Sequence, residues 1–132
     1  MSAGNNNQSR PVKILLVDDE EGFVQVLAKR LRKRQFDVMT AGNGPEAIKI
    51  LRQQDVDIAV VDFKMEGLDG IEVLKVFKMM VPELPVMILT GHGCQAAAAD
   101  GQRYGAADYL SKPYNFEDLV GKIQSIIGRR KQ

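Results

Sequence analysis

The chain is poor in the residues that most simply announce chemistry. Its 132 residues hold one cysteine, Cys94, and one histidine, His92. A lone cysteine excludes an intramolecular disulfide framework and a cysteine-based zinc cage. With no second His or Cys ligand beside it, His92 reads as a solvent-facing loop residue rather than a metal ligand. An excess of one charge is missing too: 18 Lys+Arg oppose 17 Asp+Glu, a formal net charge of +1. That balance makes no general electrostatic case for nucleic acid or a membrane surface as the main partner. No apolar run reaches the roughly 18 residues of a membrane span, and the N-terminus lacks the apolar core of a signal peptide. The length supports one domain with a real core and excludes a second of ordinary size. The expectation is a soluble, cytoplasmic, single-domain protein.

What is present alternates. Residues 1–11 are rich in Asn, Ser and Gly and read as a disordered tail. Residues 12–17 are a branched apolar run, hence a buried strand, and stop abruptly at Asp18-Asp19-Glu20-Glu21. Phe23, Val26, Leu27 and Leu31 then recur at helical spacing, with acid at the start and base at the end, as the helix dipole favours. Residues 36–41 alternate like an edge strand, and Pro45 suits the first position of the helix bearing Ala47, Ile48 and Leu51. Residues 57–61 and 86–89 are two more continuous apolar strands, ending at Asp62 and Thr90. Between them lies a helix with Ile71, Leu74 and Phe77; after them comes an Ala-rich helix that Gly101 weakens and Gly105 ends. A short strand over residues 107–110, the loop Ser111-Lys112-Pro113 and a last helix with Asn115 as cap and Gly128 at its end complete the pattern. Residues 12–128 thus form the domain, and 129–132 a basic tail or the start of a linker.

Strands alternating with helices imply right-handed βαβ units and a parallel sheet covered on both faces. The continuous apolar strands belong inside and the second and fifth at the edges. This is the order 2-1-3-4-5 of a flavodoxin-like (βα)5 three-layer sandwich. Its ligand sites lie beyond the carboxyl ends of the strands where strand order reverses, here between the first and third strands. Asp18, Asp19 and Asp62 stand there. Three carboxylates in one place repel unless a hard, oxygen-preferring cation joins them, and Mg²⁺ suits such a set while leaving room for a phosphate oxygen. The fourth strand delivers the Thr90 hydroxyl and the fifth the Lys112 ammonium to the same rim. A metal, a hydroxyl and an ammonium around a carboxylate suit phosphoryl transfer with Asp62 as the nucleophile. Singly, Asp18-Asp19 could be helix-capping acids, Asp62 a turn residue and Lys112-Pro113 an exposed loop. The set carries the reading.

Val17-Asp18-Asp19, Val61-Asp62, Leu89-Thr90-Gly91 and Tyr109-Leu-Ser-Lys112-Pro113 together resemble the receiver domain of two-component response regulators. The resemblance implies that Asp62 accepts phosphate from a histidine kinase, a phosphotransfer protein or a small phosphodonor. It implies Mg²⁺ held by Asp19 directly, by Asp18 chiefly through water, by Asp62 and by the Lys64 backbone carbonyl. Thr90 and Lys112 would contact the phosphoryl oxygens, the bond before Pro113 would be cis, and Tyr109 would be the aromatic that swings inward with Thr90. An output domain or target protein, and a homodimer through the fourth-helix face, are the partners it implies. In two places the chain departs from or varies the family pattern: Met65 is followed by Glu66 where the family usually has proline, and Lys64 and His92 occupy positions that tune phosphoryl lifetime. Two other readings compete. A Mg²⁺-dependent phosphohydrolase with an aspartyl nucleophile would need a second Asp where Lys64 stands, and an interaction module that no longer uses phosphate would not need the acidic set.

Overall fold

The computed structural model describes residues 10–65, 69–91 and 95–130. Residues 1–9 of the tail, Glu66, His92, Cys94 and Lys131 lie outside them. Five strands alternate with five helices: β1 (Lys13–Val17), α1 (Glu21–Lys33), β2 (Asp37–Ala41), α2 (Gly44–Gln53), β3 (Ile58–Asp62), α3 (Gly70–Met80), β4 (Val86–Thr90), α4 (Gln95–Arg103), β5 (Asp108–Ser111) and α5 (Phe116–Arg130). All strand pairs are parallel, and the sheet order is 2-1-3-4-5.

The burial pattern explains that order. Strands β3 and β4 are buried throughout and β1 at four of its five residues, as continuous apolar runs require, whereas β2 and β5 are partly exposed edges. Alternate residues then feed two cores. Ile14, Leu16, Val60 and Leu89 pack with Leu31 of α1 and Leu119 and Ile123 of α5. Leu15, Val61 and Ile88 pack on the other face with Ala47 of α2 and Leu74 and Phe77 of α3.

Local chemistry sets the boundaries. Asn43 caps α2 by accepting from the Glu46 N–H at 2.8 Å, with Pro45 in its first turn. Asp69 and Glu72 form a reciprocal capping box at α3, and Asn115 Oδ1 accepts from Glu117 N–H at 2.7 Å ahead of α5. Strand ends shift from expectation by single residues, and two boundaries show a local cause. Phe36 precedes β2 rather than opening it, because Gln35 takes a φ of 75° and turns the chain so that the Phe36 N–H returns to Leu31 O. Helix α5 continues through Gly128 to Arg130, since a single exposed glycine costs a helix only about 1 kcal/mol.

Candidate functional site

The carboxyl ends of β1, β3, β4 and β5 share one rim, and backbone bonds carry the ladder past the strands themselves. Asp18 N–H donates to Ala41 O at 3.1 Å, Phe63 N–H to Leu89 O at 2.8 Å and Lys112 N–H to Thr90 O at 2.7 Å. These bonds fix the residues just beyond each strand. Asp18 and Asp62 are buried, at 4% and 5% exposure, while Asp19 is exposed. One carboxylate oxygen from each of the three lies within 4.8 Å of the others.

Lys112 spans the cluster. Its ammonium donates to Asp62 Oδ1 at 3.0 Å and stands 3.9 Å from Asp18 Oδ2, with the Phe23 ring 5.2 Å away. One cation among three acids leaves the pocket negative. Asp18 Oδ1 accepts from the Glu20 N–H at 3.0 Å, but its buried Oδ2 has no hydrogen-bond partner. Burial pushes the Asp18 carboxyl up to about 6, the Glu20 amide opposing it. Burial also raises Asp62, against the hydrogen bond and charge of Lys112. A buried carboxylate oxygen that accepts no hydrogen bond, among convergent carboxylates, fits a hard divalent cation, and Mg²⁺ takes such a donor set.

The other predicted residues lie around this pocket. Thr90 is buried at the end of β4, and its hydroxyl donates weakly to Ser111 Oγ at 3.4 Å. The Lys112–Pro113 peptide bond is cis. Lys64 is two residues past Asp62 with an exposed side chain. Tyr109, on β5, is 37% exposed and is not drawn into the pocket.

Three features escape sequence reasoning. A Cβ at Gly70 would lie 2.6 Å from Asp62 O and 2.7 Å from Phe63 Cα, so the first turn of α3 presses on the backbone carrying Asp62. Phe23 underlies the Lys112 ammonium. Tyr114 buries a hydroxyl that finds no partner. The capping box ahead of Gly70 is visible as Asp69-x-x-Glu72, but the close approach depends on a loop path that no local pattern encodes.

Residues 14–124 match the response regulator receiver domain family. An NtrX-like response regulator of Rickettsia conorii is 37% identical over 109 residues, covering 81% of this chain and 23% of that protein. The alkaline phosphatase synthesis transcriptional regulatory protein PhoP of Bacillus subtilis is 35% identical over 117 residues, 89% of this chain and 49% of its own. The chain thus spans about a quarter of the first relative and about half of the second. The crystal structure of a response regulator receiver domain protein from Clostridium thermocellum superposes with a TM-score of 0.87 at 34% identity, covering 91% of this chain and 97% of that one.

Proposed function

Because the chain belongs to the response regulator receiver domain family of two-component systems, we propose that Asp62 is its phosphoacceptor. The phosphoryl group comes from a histidine kinase, a phosphotransfer protein or a small phosphodonor. An Asp62 carboxylate oxygen attacks phosphorus, the bond from phosphorus to the donor breaks, and an aspartyl phosphate results. The supporting observation is the meeting of three carboxylates with Lys112 on one rim, the ammonium 3.0 Å from Asp62. Receiver domains bind Mg²⁺ at such an acidic pocket. Here Asp18, Asp19, Asp62 and the Lys64 carbonyl would hold the ion, which supplies positive charge against the phosphoryl oxygens. Lys112 supplies the second cation, and Thr90 a hydroxyl donor.

The readout follows from the same rim. Phosphorylation adds charge and acceptor oxygens, and the Thr90 hydroxyl, only weakly engaged with Ser111, turns toward them. Tyr109 follows inward, and the face of α4, β5 and α5 changes shape for a target, an output domain or a second copy. We assign this role to residues 12–128. The chain supports its own phosphorylation and dephosphorylation and no other catalysis; the side chain of Lys64, where a phosphohydrolase would keep its acid, faces solvent. No helix among the described residues is long and apolar enough to cross a membrane, and we place the protein in the cytoplasm.

Incubation with Mg²⁺ and acetyl phosphate or phosphoramidate is expected to add one labile phosphoryl group, read by intact mass. Asp62→Asn removes the addition. Labelling that survives this substitution contradicts the assignment.

A further inference from the structure

Thr90 is almost wholly buried, at 1% exposure, and a buried hydroxyl in a folded protein finds a partner. Among the described residues that partner is Ser111, whose Oγ accepts from the Thr90 hydroxyl at 3.4 Å. The bond is long beside the roughly 2.7–2.8 Å usual between two hydroxyls, so it holds its donor loosely.

Sheet register puts these two groups together. Thr90 and Ser111 are the last residues of β4 and β5, and they are partners in the parallel ladder. Lateral partners in a sheet present their side chains to the same face. The Lys112 N–H, bonded to Thr90 O at 2.7 Å, carries the ladder one step past the pair. Ser111 itself is exposed, so no packing demand accounts for a hydroxyl at that position. Tyr109 stands two residues earlier on β5, hence on the same face.

A threonine hydroxyl has one hydrogen to donate. It serves the Ser111 oxygen or a phosphoryl oxygen on Asp62, not both. The bond to Ser111 therefore belongs to the unphosphorylated protein, and an interaction made in one of two states opposes the other. Truncating Ser111 would leave the buried Thr90 donor unserved until a phosphoryl group arrives, a penalty that falls on the unphosphorylated state alone.

We propose that Ser111 is a positioning residue of the phosphoryl site: its hydroxyl retains Thr90 in the unphosphorylated protein and competes with the phosphoryl group for the same hydrogen. This rests on the reading of Asp62 as the phosphoacceptor and adds to it a residue that sets how readily the site responds. One consequence runs against intuition. A substitution that weakens the empty protein tightens its hold on a phosphoryl group.

The test compares Ser111→Ala and Ser111→Thr with the parent, and repeats Ser111→Ala on a Thr90→Val background. Two quantities are measured: the melting temperature in EDTA, and the affinity for beryllium fluoride, a phosphoryl mimic, in saturating Mg²⁺. Ser111→Ala is expected to melt about 2–5 °C below the parent yet bind the mimic about fivefold more tightly. Ser111→Thr, which keeps a hydroxyl, should hold the parent's affinity. Without the Thr90 hydroxyl, Ser111→Ala should change neither quantity. Mimic binding by Ser111→Ala that is unchanged or weaker overturns the proposal, the weaker case being the mark of a merely structural serine. So does a tightening that persists on the Thr90→Val background. If the parent itself binds no beryllium fluoride, the phosphoacceptor reading fails and this proposal falls with it, so the parent's own binding curve tells the two failures apart.

Discussion

Asp18 bears much of the cost of assembling the pocket. Its carboxyl is raised from 3.8 to about 6 by burial, so the metal-free fold favours the protonated form. Stability from this group is complete below pH 4 and drains away as pH climbs through 6. From pH 5 to 7.5 the loss is on the order of 1–2 kcal/mol, and a bound divalent cation offsets it. Thermal melts in EDTA and in Mg²⁺ should show a larger gain from Mg²⁺ at pH 7.5 than at pH 5. Asp18→Asn should melt higher than the parent in EDTA at pH 7.5, lose the Mg²⁺ gain and flatten the pH dependence. The reverse order of melting temperatures would refute this account of Asp18. These acids were legible in the sequence because each stands where an apolar run stops, and a parallel sheet sends every such stop to one rim. Tyr114 and Phe23 were not: what they touch depends on how the loop after β5 lies against α1.

Two glycines show how differently elements tolerate one methyl group. At Gly70 the added Cβ would meet backbone atoms at 2.6 and 2.7 Å, and neither can yield without moving Asp62. At Gly101 it would meet Ala106 Cβ and Ile88 Cγ1, both at 3.6 Å, ordinary van der Waals contacts. Gly70→Ala should therefore destabilise by about 1–3 kcal/mol and weaken Mg²⁺ binding. Gly101→Ala should stabilise by up to about 1 kcal/mol through helix propensity, and by stiffening α4 it should blunt any phosphorylation-linked change on that face. Denaturant titrations of the two variants check the signs. Sequence alone marks Gly101 as a weak point in α4, because propensity is local. It gives Gly70, in the loop leading to the helix, no special weight, because a clash with the end of β3 is a tertiary fact. Gln35 teaches the same lesson in reverse: a non-glycine at positive φ carries no sequence signal, and it displaced the expected start of β2.

At the scale of the molecule, one sheet separates two cores, and the acidic rim is anchored to both. Asp18 and Asp62 leave strands whose side chains alternate between the α1–α5 layer and the α2–α3 layer. Neither layer can loosen without disturbing the rim. Leu119→Ala on one side and Phe77→Ala on the other remove fully buried side chains, each expected to cost about 2–5 kcal/mol, a large share of the 5–15 kcal/mol typical of a domain. Far-UV circular dichroism and Mg²⁺ binding should be lost together in both variants as denaturant rises. Two separated transitions would show that the layers fold apart. Strand order was readable from apolar runs because burial on both faces is written into composition, whereas the extent of α5 past Gly128 was not.

The amide of Lys112 is bonded to the carbonyl of Thr90, so the tips of β4 and β5 are yoked. A hydroxyl and an amine mounted on adjoining strands cannot be tuned separately. Whatever tugs the one drags its neighbour's mount along, and the outermost strand inherits, as a mechanical lever, an event that begins at the centre of the sheet.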